Sequence, residues 1–176
     1  MATTTTTIRA GRGFGRLGGR TRKAFLLLHV VSGAAWFGID LALGILVVTA
    51  LVADDPRTAG MAVRAVELFA IWPMFGASLL CLTGGVVLGL GSKYGLVRYW
   101  WVAIKLALNV LMSTLIVVSL RPGIGEAARI GERLMAGDTT VSVPGDLLFP
   151  VVVAPSMLLT AYLLSVFKPW GRTGWR

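Results

Sequence analysis

Apolar residues run along this chain in four blocks, about 24–52, 68–90, 100–120 and 147–167. Each block is long enough to cross a hydrocarbon layer of ~30 Å, which needs about 20 residues. None shows the period-two alternation that a barrel strand requires. The breaks between them are polar and compact: DDP at 54–56, GSKYG at 91–95 and RPG at 121–123. Four spans joined by short connections predict an all-α, polytopic membrane protein, an antiparallel bundle running up, down, up and down. The longest connection, 121–146, contains GEAARIGERLMAG. Ile130 and Leu134 fall on one side of that piece and charges elsewhere, which predicts a short amphipathic helix over about 125–136 lying on the outer surface.

Within the first block, polar positions are not scattered. At 100° per residue, His29, Gly33, Trp36 and Asp40 fall within a wedge of about 60°. Lys105 and Asn109 stand one turn apart on the third span. Ionisable groups inside a membrane face neighbouring helices rather than lipid. These five side chains (His29, Trp36, Asp40, Lys105, Asn109) therefore form a candidate buried polar site, with Gly33 leaving room for a helix or a flat ligand to approach. His29 and Lys105 both sit near the start of spans that run in the same direction, so they are expected at similar depth. Asp40 lies at or beyond the midplane. Each residue also has a plainer role: Lys105 as an interfacial anchor, Asn109 as an interhelical clamp, His29 as a donor to a backbone carbonyl and Trp36 as core.

Composition agrees with the block pattern. Of 176 residues, 56% are hydrophobic and only 14% charged, and mean hydropathy is +0.78. A soluble domain is typically about 25% charged. The net charge of +9 is unevenly placed. Arg9, Arg12, Arg16, Arg20, Arg22 and Lys23 precede the first span, Lys93 and Arg98 follow the second, and Lys168, Arg172 and Arg176 follow the fourth. The other two connections are balanced or slightly acidic. This is the positive-inside pattern with both termini cytoplasmic, in a bacterial cytoplasmic membrane. It argues against nucleic acid as the partner, since no recognition motif accompanies the charge. Residues 1–23 read as a disordered basic arm, 24–168 as the bundle and 169–176 as a cytoplasmic tail. The lone Cys81 lies mid-span and excludes a disulfide framework. One histidine and six dispersed methionines do not suggest a metal site. No hydrolase, metalloprotease or nucleotide-binding motif is present, so enzyme status stays open.

The residues Leu26, Leu28, His29, Trp36 and Gly38 on the first helix, with Lys105 in WVAIKLALNVL on the third, resemble a loose superfamily of small bacterial membrane proteins. It holds copper-resistance-protein-D-like domains, the HemJ-type protoporphyrinogen oxidases and several uncharacterised families. In the oxidase branch the matching histidine and lysine are functional and haem is bound, so the resemblance implies haem as a cofactor held by His29 and Lys105. The chain departs from that branch after Asp40, where LALGILVV carries no further histidine, and so it stands nearest the uncharacterised members. Three functions follow as expectations. The first is an accessory or scaffold subunit that packs against other membrane proteins or a second copy. The second is a haem or small-cofactor bundle, and the third a proton-linked transporter or channel.

Overall fold

The structure is a computed structural model that describes residues 18–92 and 94–174. It is all-helical: α1 (Gly19–Val52), α2 (Pro56–Ala70), α3 (Trp72–Leu90), α4 (Trp100–Leu115), a π-helical turn (Ile116–Leu120), α5 (Arg121–Met135), a 3-10 turn (Gly145–Leu147) and α6 (Leu148–Phe167). Four stretches are long and apolar enough to cross a membrane: Gly19–Val52, Pro56–Leu90, Trp100–Met135 and Gly145–Phe167, of 34, 35, 36 and 23 residues. At about 1.5 Å per residue the first three reach ~50 Å, well beyond the apolar layer.

The extra length was hidden in the connections. DDP reads as a stop, but it is also a start: Asp55 caps α2, accepting from the backbone N–H groups of Arg57 (3.2 Å) and Thr58 (3.1 Å). Pro56 then takes the first helical position, where its missing N–H costs nothing. The Thr58 hydroxyl, which also donates to it at 2.8 Å, and then these backbone bonds hold the Asp55 carboxyl below the usual carboxylate range. Residues 56–67, expected as a connection, are therefore helical, and the second span starts at Pro56 rather than 68.

The third span does not stop at RPG either. Pro122 removes a backbone donor and crowds the carbonyl one turn back. The helix answers by widening to π spacing over Ile116–Leu120, with the Arg121 N–H donating to the Ile116 carbonyl. It then continues as α5. The amphipathic helix expected over 125–136 thus exists as Arg121–Met135, but its apolar face meets α2 instead of the membrane surface. The two backbones touch where a Cβ on Gly60 would lie 2.6 Å from the Gly131 carbonyl oxygen. Arg64 bridges the pair, bonded to Glu67 on its own helix and 3.2 Å from Glu132 on α5. With the last turns of α1, these two helices form a small helical cap on one end of the bundle.

At the other end, α1 begins at Gly19, so Arg20, Arg22 and Lys23 belong to its first turns and not to the expected arm. Residues 1–17 of that arm, Lys93 and the last two residues of the tail lie outside the described residues. The tail is tied down: the Thr173 N–H and hydroxyl donate to the Arg98 (3.0 Å) and Val97 (2.8 Å) carbonyls.

The core follows one face of α1, where Ser32, Gly33, Trp36, Asp40, Leu43, Val47 and Ala50 are buried. The expected inward stripe is therefore real and longer than the polar residues alone revealed. α1 packs on α3, α2 and α6, while α4 packs on α3 and α6. Leu27, Ile45, Phe149 and Val166 are among many large apolar side chains left exposed, as a lipid-facing exterior requires.

Candidate functional site

The five candidate residues do not form one site. They divide between a packed half, around His29, and a hollow half, around Asp40.

In the packed half, His29 is clamped. A Cβ on Gly84 would lie 3.0 Å from His29 Cβ, and one on Gly85 would lie 3.1 Å from its ring Cε1. Two consecutive glycines thus let α3 meet α1 at the histidine. His29 Nδ1 stands 2.7 Å from the Cys81 carbonyl. A carbonyl only accepts, so Nδ1 carries the proton. Gly89, one turn further along α3, receives Leu96 of the connection and not a helix. The space at Gly33, where a flat ligand was anticipated, is occupied: a Cβ there would lie 3.1 Å from Tyr162 Oη and 3.6 Å from Cys81 Sγ.

Lys105, on α4, is the other candidate of this half. Its ammonium donates to Ser165 Oγ at 2.7 Å and stands 4.9 Å from the Trp101 ring centroid. It therefore ties α4 to α6 while lying over an aromatic face. Asn109 belongs to a small hydroxyl chain: Ser113 Oγ is 3.3 Å from Asn109 Oδ1 and 3.1 Å from Ser78 Oγ. Ser78 is fully buried, and Ser113 is nearly so. The clamp between α3 and α4 is made by these two serines, which were not singled out in the sequence because serine is unremarkable inside a membrane helix.

In the hollow half, Trp36 and Asp40 face a cavity of about 550 Å³. Such a volume is typical of small-molecule sites. Trp36 is 0% exposed and Asp40 3%. Trp36 Nε1 and Asp40 Oδ2 have no hydrogen-bond partner. One is a donor and the other an acceptor, one helical turn apart. Leaving a buried polar group unpaired costs about 1–3 kcal/mol. Asn109 and Thr160, polar residues of the neighbouring spans, bond Ser113 and the Ser156 carbonyl instead.

Prolines shape this space. Pro73, Pro122 and Pro155 belong to three different spans, and each is adjacent in sequence to a residue of the cavity wall: Met74, Gly123 and Ala154. The cavity sits where those helices break their regular ladders. α6 packs on α1 and α4 but hardly touches the π turn or α5. A wedge opens there, rimmed by the exposed Leu115 and Ser119 on one side and Phe149 on the other. Met74, Met112 and Met157, dispersed in sequence, meet on the cavity wall. Neither His29 nor Lys105 lines it. Among the described residues no cluster of three or more histidine, cysteine or acidic side chains is arranged to hold a metal ion.

Comparison with family models, with curated proteins and with solved structures finds no match to this chain.

Proposed function

We propose that this protein is a multi-pass component of the bacterial cytoplasmic membrane that binds an amphiphilic small molecule between its third and fourth spans. The observation that carries the reading is that Trp36 and Asp40, whose Nε1–H and Oδ2 are buried without a partner, both line one largely apolar cavity. A ligand whose polar head both donates and accepts would satisfy both, with its body against Leu43, Met112 and Met157. The wedge beside Phe149 faces the lipid-exposed flank, so an apolar molecule enters from the bilayer rather than from water.

In this reading the spans run antiparallel and both termini lie in the cytoplasm. Basic Arg20, Arg22 and Lys23 share the sequence ends and turns with Arg98, Lys168 and Arg172, and the tie between Thr173 and Arg98 brings the tail to the second connection. The cap formed by α2 and α5 then lies on the outer side.

The haem reading has less support. His29 and Lys105 are engaged with Cys81, Ser165 and Trp101, and the slot beside Gly33 is filled by Tyr162. The accessory-subunit reading rests on no residue of its own, since the apolar exterior that a partner helix would cover is also what lipid covers.

The test uses the full chain in lipid nanodiscs and the neutral fluorescent probe N-phenyl-1-naphthylamine. Saturable, protein-dependent fluorescence is expected for the wild type. It should vanish in Ala154→Phe, which fills the cavity from α6. Absence of saturable binding to the wild type would overturn the reading.

A further inference from the structure

Resting on the cavity reading above, we propose that the occupant is a lipophilic organic cation, an apolar body bearing one protonated nitrogen that pairs with Asp40. The sign of charge is written on the cavity wall. Three ionisable residues line it, Asp40, Glu126 and Asp146, and all are acids. Among the described residues no lysine, arginine or histidine lines it. Glu126 stands at the rim and shares its charge with Arg129, 2.5 Å away on the solvent side. Asp146, also exposed at the rim, is in no ion pair.

Asp40 sits deeper and differs from both. It lines the cavity, is 3% exposed, and its Oδ2 is buried without a hydrogen bond. A neutral alcohol would satisfy its hydrogen-bonding capacity and leave its charge. An anion would be repelled by all three acids. A protonated nitrogen both donates a hydrogen bond to this carboxylate and balances its charge away from water. The remaining wall suits such a guest. The Trp36 ring belongs to the same wall one turn from the carboxylate, and rings attract cations. Met74, Met112 and Met157 are unbranched and polarizable, so they adapt to bodies of varied shape. The acids at the rim give a cation arriving at the interface a favourable approach, and the wedge beside Phe149 admits its apolar part from lipid.

The experiment compares two probes of the same shape and different charge, adamantan-1-amine and adamantan-1-ol. Binding is measured by equilibrium dialysis at neutral pH to the full chain in nanodiscs, with empty nanodiscs subtracted for lipid partition. Wild type should bind the amine about tenfold more tightly than the alcohol. In Asp40→Asn, an isosteric change that removes a buried charge and so leaves folding intact, the two affinities should converge. Ala154→Phe should lose both. Equal affinity for the two probes in the wild type, or a preference that survives Asp40→Asn, would overturn the inference. If the probes bind equally and Ala154→Phe still abolishes binding, the cavity stands and the charge assignment falls. If neither probe binds the wild type, both fall.

Discussion

The two halves of the α1 interface are built from similar residues and obey opposite rules. Around His29 the buried polar groups find partners: an imidazole meets a carbonyl, an ammonium meets a hydroxyl and a ring, and glycines bring the backbones together. Around Asp40, 11 residues on along the same helix face, an indole N–H and a carboxylate are buried and unanswered. The first half is held together by its polar residues. The second tolerates them at a cost, and such a cost persists at sites that do something other than fold. A titratable residue on an inward stripe is therefore not by itself a sign of function; whether it is satisfied is the sharper question.

The largest expected effect breaks the packed half. Gly84→Val places its Cβ 3.0 Å from His29 Cβ and 3.2 Å from its Cα. Neither atom can swing away, so α1 and α3 must separate. Thermal unfolding in nanodiscs should show a loss of about 3 kcal/mol. A loss near zero would mean that the helices are not in contact there.

The next pair sharpens the contrast by sign. His29→Ala removes the bond to the Cys81 carbonyl and opens a small void, and should cost about 2 kcal/mol. Its absorbance spectrum should match that of the wild type, because the imidazole Nδ1–H is already committed to the Cys81 carbonyl. A band near 410 nm that disappears with His29→Ala would reverse that assignment. Asp40→Leu, in contrast, replaces an unsatisfied carboxylate with an apolar side chain facing an apolar hollow, and should stabilise the unliganded protein by about 1–3 kcal/mol. Two inward-facing residues of one helix would then respond in opposite directions.

This contrast marks what the sequence makes legible. Periodicity alone puts His29, Gly33, Trp36 and Asp40 on one face, and hydropathy alone finds four spans. Charge placement predicts the amphipathic content of 125–136. What the pattern cannot show is where that helix goes, because the partner of α5 is another disguised helix, α2, whose start at Asp55 and Pro56 looks like a stop. The division of the polar face into two sites is equally hidden. It depends on Gly84 and Gly85 closing one half, and on prolines in three separate spans holding the other open. The gathering of Met74, Met112 and Met157 follows from those same kinks. No spacing along the chain encodes it.

A smaller effect tests the tie between α4 and α6. Lys105→Met keeps the apolar stem and removes the ammonium from Ser165 and the Trp101 ring. It should cost about 1 kcal/mol. Ser165→Ala alone should cost less. In the double variant the two losses should fall short of additivity, since they remove one shared bond. Binding of the cavity probes should be unchanged in all three proteins, because Lys105 lies outside the cavity. Altered binding would join the two halves into a single site.

The smallest effect lies outside the membrane, in the loop that leaves α5. The Asp138 carboxylate accepts from the Thr140 hydroxyl (2.6 Å) and backbone N–H (2.9 Å), and from Arg133. Those bonds, led by Thr140, lower its pKa to about 2. An unfolded aspartate titrates at about 3.9. The folded value is the lower one, so the stabilisation is fully present above about pH 4 and is lost as pH falls toward 2. The carboxylate is still partly open to water, so solvent screens much of the gain. Asp138→Asn should lower the melting temperature slightly at neutral pH and leave it unchanged near pH 2. The two melting curves should converge across that window. A gap between variant and wild type that stays constant from pH 5 to pH 2 would show that the loop owes nothing to the charge of this carboxylate. The cap would then rest on the packing of α2 on α5 and on the Arg64 bridge to Glu132, without help from this loop.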